Sequence, residues 1–600
     1  MQDTMESNSV EVTLVNVREK FKDAQQLLDN HEKHRTENEP YKIEYQVIEM
    51  LKMVETDLTN ILADVPEEKK WEVDAMLATV YVNLGLLHTS TEELKAGEKQ
   101  FMKCITTLKS KELEPDGIFS ILCALNQLGI IWAQWNEPAK AKVFLDQAVQ
   151  IYNDFTNIGN GCNASIIMVQ YMSIENAKEL SPKELIEKVH TLTLYYLAQV
   201  YSSLKEHCQS AIYYHMTLCR QLDHMDNMQD LNYIDWALNA ATLSQYFMEI
   251  NGFSQARHHL AAATYILQKY ENILKEKSES DGESEALAAE WESFKHRSAD
   301  VARCWAKYGI LLLNLSKLRL LERSESELED SQPDNKESFQ SKLLEELKFE
   351  TLEKEIEPIA IQITDKYLLD FDDARLAFLN AHKWLQQAKT YYTLENHASD
   401  YILIVQDMSQ AYKYLSFFEE HEDRQAKMHK RRIDILESVI KELSPQYYKF
   451  ACRQIWIELG ETYSDILDIK LDRLRITDET PTPQILTKIN HLAKNSINNF
   501  QAFLDSLDMR NSNSTMEQFP DEVVQPALFS FFRLGRLYNK IITPDKAIQL
   551  ENTQNSMNAY KFLVDYCEKY TNAAEIMKVE LNLCKELVSL LPLKVKKLKE

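Results

Sequence analysis

Glycine is scarce in this sequence for its length: 11 in 600 residues, under 2 %, where an average soluble chain carries about 7 %. Tight hairpins, phosphate-cradling loops and doubly wound nucleotide folds all need glycine at turns of positive φ, so the shortage argues against each and leaves long helices. The nine cysteines, an odd count, are scattered from Cys104 to Cys584 with no Cys-x-x-Cys pair. That is the pattern of a reduced cytosolic protein rather than of a disulfide framework. Basic charge is also short, since 67 Lys and Arg against 93 Asp and Glu give a net charge of −26. Such a chain repels phosphate backbones, so nucleic acid is not an expected partner and basic proteins are. Long apolar runs are missing too. The most apolar stretch, Gly309 to Leu315, is far shorter than the roughly 20 residues a membrane span requires, and the opening MQDTMESNSVEV lacks the features of a signal peptide. No membrane insertion is expected, and the expected location is the cytoplasm.

What is present is apolar material for a core, 44 % of residues against 27 % charged, arranged with helical periodicity almost throughout and nowhere in a convincing strand alternation. The expected fold class is all-α. Repeats refine it. Leu84-Gly85, Leu128-Gly129, Leu197-Ala198 and Leu243-Ser244 each place a small residue after a leucine, and twelve residues later come the small residues Gly97, Ala141, Ser210 and Ala256. Four and seven residues beyond those lie Phe101/Cys104, Leu145/Ala148, Tyr214/Thr217 and Leu260/Ala263. This is the tetratricopeptide grammar of two antiparallel helices that approach closely where small side chains face each other. It predicts a tetratricopeptide-like right-handed α-solenoid of degenerate helix pairs with a concave groove. Trp456, Leu459, Gly460 and Tyr463 repeat the first-helix pattern, as do Phe531, Leu534, Gly535 and Tyr538, but their second helices do not follow the standard offset.

Spacings of 44, 69 and 46 residues between the first-helix small positions, rather than about 34, imply insertions. Candidates are 156–182, 276–287, 322–338, 472–484 and 508–520. The expected organisation is N-terminal repeats over 1–275, with units near 78–111, 122–155, 191–223 and 237–270, then an acidic loop at 276–287. A long linking helix over 288–321, centred on Trp305, a second acidic loop at 322–338 and degenerate repeats over 339–600 complete it.

Catalytic templates find no address. Gly159-Asn-Gly161-Cys-Asn-Ala164 matches the dinucleotide fingerprint formally, but no strand precedes it. His31-Glu-Lys-His34 has the wrong spacing for a zinc protease, and the adjacent His258 and His259 diverge by about 100° on a helix. No cofactor or metal is expected, and the chain reads as a non-enzyme. The basic run Arg424 to Arg432, preceded by Glu419, Glu420, Glu422 and Asp423, reads as a helix whose acids and bases complement the macrodipole and pair at i,i+4, ahead of a localisation or anion-binding patch. Groove residues remain. Tyr196, Gln199, Thr242, Ser244 and Gln245 flank the small positions of two consecutive first helices, and their polar, uncharged character suits a partner helix. The alternative is ordinary hydrogen bonding between repeats. The Lys, Asn and Arg of a carboxylate clamp are not supplied by Gln199, Gln245 or Ile130, which weighs against a co-chaperone or general adaptor that binds peptide termini.

The stretches LYYLAQVY (194–201), DWALNAATLSQYF (235–247), ARHHLAAA (256–263), KMHKRRIDILE (427–437), LSPQYY (443–448), FQAFLDSL (500–507), RLYNKIIT (536–543) and YKFLVDYCEK (560–569) resemble the KIF-binding protein family, in order and over nearly the whole chain. The acidic, proline-rich loop of the vertebrate members is nearly absent near the N-terminus, and the loop around 156–182 differs. The resemblance implies a non-enzymatic, cytoplasmic, cytoskeleton-associated protein, expected as a monomer. It would bind kinesin motor domains, control their microtubule engagement and support axon outgrowth and maintenance. Matching the family's motifs carries over Tyr196, Gln199, Thr242 and Ser244 as groove residues, with Gln221 of RQLDH beside them.

Overall fold

A computed structural model describes residues 2–29, 41–158, 181–223, 232–281, 284–326, 347–477, 482–507 and 518–599. Among them are 21 α-helices and no strand, so the fold is all-α. The first helices are α1 (Gln2–Asp29), α2 (Lys42–Ile61), α3 (Glu67–Ser90), α4 (Leu94–Thr107), α5 (Ile118–Gln134), α6 (Pro138–Asn157), α7 (Pro182–Ser203), α8 (His207–Asp223) and α9 (Tyr233–Glu249). After them come α10 (Phe253–Asp281), α11 (Glu285–Ser326), α12 (Glu353–Ala360), α13 (Phe371–Tyr391), α14 (Ala398–Phe418), α15 (Glu422–Ile440) and α16 (Lys449–Thr477). The chain closes with α17 (Pro483–Asp505), α18 (Asp521–Lys540), α19 (Lys546–Lys569), α20 (Thr571–Ile576) and α21 (Lys578–Lys599).

The small positions act as the spacing predicts. A side chain on Gly85 would begin 2.5 Å from the Phe101 ring, and one on Gly129 would begin 2.6 Å from Leu145. Only hydrogen fits where α3 meets α4 and α5 meets α6. In the third pair the approach is sealed by a hydrogen bond, since Ser210 Oγ donates to the carbonyl of Ala198 across 2.8 Å. Each first helix also stops in the same way. Seven residues past the small position stand Glu92, Asn136, Lys205 and Asn251, with φ of 65°, 59°, 62° and 61°. The next amide reaches back to the last turn in every case: Glu93 to His88, Glu137 to Trp132, Glu206 to Tyr201 and Gly252 to Phe247. This is the Schellman stop, usually built on glycine. Here charged and amide residues occupy the left-handed position, which is how a chain with so few glycines still turns its helices.

In the C-terminal repeats the second helices lie farther along the chain, yet the contact is the same one. Ser496 Oγ donates to the Gly460 carbonyl across 2.6 Å and Ser556 Oγ to the Gly535 carbonyl across 2.7 Å. Phe500 and Tyr560 fill the place of Phe101, 2.9 Å and 2.5 Å from a side chain built on each glycine. Between Gly460 and Ser496 the offset is longer because α16 continues to Thr477 before α17 begins. A further pair escapes sequence reading: Gly309 on α11 faces Ala381 on α13, whose Cβ would lie 2.9 Å from one on Gly309.

Contacts divide the chain into two units, one of residues 1–246 with 336–353, the other of 247–335 with 354–600. Helix α11, expected as a long linking helix over 288–321, lies within the second of these units. The expected acidic loop at 276–287 is mostly helix: α10 runs to Asp281 and α11 starts at Glu285. Lys277 pairs with Glu290 at 2.9 Å and Trp291 Nε1 donates to Ser278 Oγ at 3.0 Å, holding the two helix ends together. Of the second acidic loop, 322–326 belong to α11, while 327–338 lie outside the described residues. So do 159–180, 478–481 and 508–517 of the other expected insertions, with the Gly159 fingerprint, His31 and His34.

In the basic run, Lys430 pairs with Asp434 at 2.8 Å as an i,i+4 pair should. Arg432 instead is fully buried. Its guanidinium donates to Ser409 Oγ (3.2 Å) and Glu458 (3.4 Å) and lies 3.5 Å from Asp465. It joins α14, α15 and α16.

Candidate functional site

Within the first unit, α3 contacts α5 and α5 contacts α7, whereas no contact of that extent joins α4 to α6 or α6 to α8 among the described residues. The first helices α3, α5 and α7 thus lie side by side. Helix α7 is held firmly at its start, where Ser181 and Glu184 form a reciprocal capping box ahead of Pro182. Behind α7, Tyr152 donates to Glu187 at 2.9 Å and Arg220 donates to Tyr152 Oη at 3.1 Å while also pairing with Glu187. His190 stacks on Tyr152 at 3.6 Å between ring centroids, and burial followed by the Arg220 charge depresses its pKa to about 3. Helices α6, α7 and α8 are locked by this cluster.

Between α7 and α9, over α8, lies a cleft of about 280 Å³. Tyr195 and Ser202 form the α7 wall; Asn239, Thr242 and Tyr246 form the α9 wall. Ala211 and Tyr214 on α8 make its floor with Leu243. Tyr195 and Tyr214 meet edge to face with centroids 6.2 Å apart. Trp236 anchors α9 onto α8 through its Nε1, which donates to the Leu218 carbonyl at 3.1 Å. Trp236 also packs on Phe349, 5.2 Å between ring centroids, and Phe349 in turn touches His215 at 4.7 Å. Phe349 is a fully buried residue from far along the chain, and no periodicity in the sequence signals its place.

Of the residues singled out from sequence, Thr242 is exposed in the cleft and Gln199 is exposed on the α7 ridge beside it. Tyr196 turns away from the cleft and packs half-buried against the Ala141, Leu145 and Leu197 cluster. Its neighbour Tyr195 is the tyrosine that faces the cleft. Burial, and after it Tyr195, raises the phenol pKa of both Tyr196 and Tyr214, so they act as neutral hydrogen-bonding groups. Gln245 is half-buried. Gln221 is half-buried on the α8 face that carries Ala211 and Tyr214, two turns beyond Tyr214. Ser244 must be withdrawn from the accessible surface: it is fully buried, and its hydroxyl donates to the Ala241 carbonyl at 2.6 Å. A small residue at a helix contact faces the helix it touches.

His258 and His259 meet edge to face with ring centroids 5.9 Å apart, and His259 is buried with Nδ1 2.8 Å from the Gln255 carbonyl oxygen. No group of three His, Cys, Asp or Glu is placed to hold a metal ion among the described residues. Burial pushes the thiols of Cys219 and Cys584 up to about 12, opposite to the direction of an activated nucleophile. No described helix is long and apolar enough to cross a membrane. A second cleft, about 220 Å³, lies in the second unit over Trp384, with Glu271 and Lys383 at its edge.

A family model described as "KIF-1 binding protein C terminal" matches residues 234–598. The chain is 36 % identical to KIF-binding protein of Gallus gallus over 604 residues, 97 % of each chain. Against KIF-binding protein of Homo sapiens it is 38 % identical over 537 residues, 87 % of this chain and 84 % of the relative. A solved structure of "Kinesin binding protein (KBP)" is similar with 32 % identity and TM-score 0.60 over 96 % of this chain and 97 % of that one. Another, described as a cryo-EM map of KIFBP, is similar with 30 % identity and TM-score 0.64 over 98 % and 99 %.

Proposed function

This chain belongs to the KIF-binding protein family, and on that premise we propose that it is a non-enzymatic cytoplasmic protein that binds kinesin motor domains through the α7–α9 face of its first unit. Binding there controls attachment of the motor to microtubules, and through it axonal microtubule organisation and axon outgrowth. The observation that carries the reading is the uncharged, aromatic and polar cleft set on a strongly acidic chain. Hot spots of protein recognition are rich in tyrosine and lie in desolvated pockets, which the cleft supplies. The net charge of −26 supplies long-range attraction for a basic motor surface, raising the encounter rate more than the final affinity. Because a motor also grips acidic tubulin through a basic surface, the two would compete for it.

Co-sedimentation of purified kinesin motor domains with microtubules, with and without the full chain, tests this directly. The expected result is motor left in the supernatant when the chain is present. Gln199→Lys with Thr242→Lys, at unchanged helicity, should return the motor to the pellet. Motor that pellets equally in all cases, or a double variant that works as well as the natural chain, overturns the reading.

A further inference from the structure

The lining of the α7–α9 cleft specifies what kind of side chain it takes. Three tyrosines, Tyr195, Tyr214 and Tyr246, surround a floor of Ala211 and Leu243, and hydroxyl and amide groups stand at the opening. Among the described residues no carboxylate, lysine or arginine lines the space, and His207 is the one ionisable group besides the tyrosines. An ammonium or carboxylate entering it would give up its water without finding a counter-charge, which is unfavourable even beside tyrosine rings. An apolar or aromatic side chain would instead meet ring faces and aliphatic surface, while Thr242 and Asn239 remain free to bond the backbone or polar edge of the segment that carries it. The volume, about 280 Å³, holds one large side chain rather than a row of them.

Resting on the reading that the partner docks on this face, we infer that the cleft is an anchor pocket for a single large uncharged side chain, aromatic or long aliphatic, projecting from a helix of the partner. The net negative charge of the chain attracts the partner; this pocket decides which partner stays. Charge therefore governs arrival and the pocket governs residence.

Two variants fill the pocket from opposite walls at exposed positions, Asn239→Trp and Ser202→Trp, and Met216→Trp on another exposed face of α8 serves as control. The first measurement needs no motor. Saturation-transfer NMR on the full chain compares N-acetylphenylalaninamide, N-acetyllysinamide and N-acetylglutamate amide as probes. The phenylalanine probe should give the strong signal, lost in both filled variants and kept in the control. The second measures motor-domain affinity, which should fall about tenfold or more in the filled variants, as at other hot spots, with helicity and melting temperature unchanged. Equal signals from all three probes, a preference for a charged one, or motor affinity unmoved by filling would each overturn the inference. If the natural chain holds no motor at all, the preceding reading falls, and probe selectivity alone then decides the chemistry of the pocket.

Discussion

The hydroxyl of Ser496 donates to the carbonyl of Gly460 across 2.6 Å, on the helix face where the Phe500 ring lies 2.9 Å from any side chain that Gly460 could bear. One contact thus combines a steric stop with a polar bond. The same pair recurs as Ser556 with Gly535 under Tyr560, and its polar half alone recurs as Ser210 with Ala198 in the first unit.

Gly460→Ala and Gly535→Ala should each lower stability by about 1–3 kcal/mol, because the fully buried rings they face have nowhere to go. Ser556→Ala should cost about 1–2 kcal/mol, because Ser556 Oγ both donates to the Gly535 carbonyl and accepts from Asn539 Nδ2 at 2.6 Å. Urea unfolding followed by circular dichroism measures all three. A Gly535→Ala midpoint equal to that of the natural chain would contradict the packing described.

Lys205 sits exposed in the left-handed conformation at φ 62°. Lys205→Gly removes the Cβ clash of that conformation, worth roughly 1–2 kcal/mol, and loses part of it to the greater freedom of unfolded glycine. A net gain of about 1 kcal/mol is expected, read as a higher urea midpoint. Lys205→Val, β-branched at the same φ, should move the midpoint the other way.

Phe349→Ala should destabilise the first unit by about 3–5 kcal/mol, the usual range for a buried phenylalanine, since it removes the ring that packs on Trp236 and His215. Tryptophan emission during thermal melting should show an earlier transition in the variant. An unchanged curve would mean that the 347–349 segment contributes nothing to that core.

Acid should weaken the first unit. Burial holds His190 at about 3 and His215 at about 4, below the ordinary 6.5 of an unfolded histidine. The unfolded chain therefore binds more protons between those values, so the stabilising contribution is complete above about pH 6.5 and is lost as pH falls towards 4. The slope is at most about 1.4 kcal/mol per pH unit for each group. Melting temperature measured from pH 7 to pH 5 should decline, and His215→Gln should flatten the decline. A variant with the full natural slope would remove His215 from this account.

Much of this architecture is legible in the sequence because helix pairs joined by short turns keep a fixed offset. Gly85 and Phe101 can be matched by counting, and so can Gly129 and Leu145. The Gly309–Ala381 contact cannot, since its two helices are separated by the whole of α12 and an acidic stretch. Within the candidate site, counting finds the right turn of α7 and selects Tyr196, but adjacent residues on a helix differ by about 100°, and Tyr195 is the one turned to the cleft. Ser244 fails for a related reason: the smallness that marks it as a contact position is what removes it from solvent. Arg432 shows the same limit in charge. The run around it has the composition of a solvated face, and only the carboxylates of α16 reveal why one member is inside.

Phe349 carries a consequence for how this protein can be dissected. The first unit is not contiguous in sequence: its core is completed by residues that follow α11. A fragment ending at Tyr246 would leave Trp236 and His215 without their covering ring, next to the helices that form the cleft. Deletion mapping would then score the missing cover as a missing contact and credit partner binding to residues beyond 246 whose part in the first unit is to cover Trp236. Point substitutions in the full chain avoid that error.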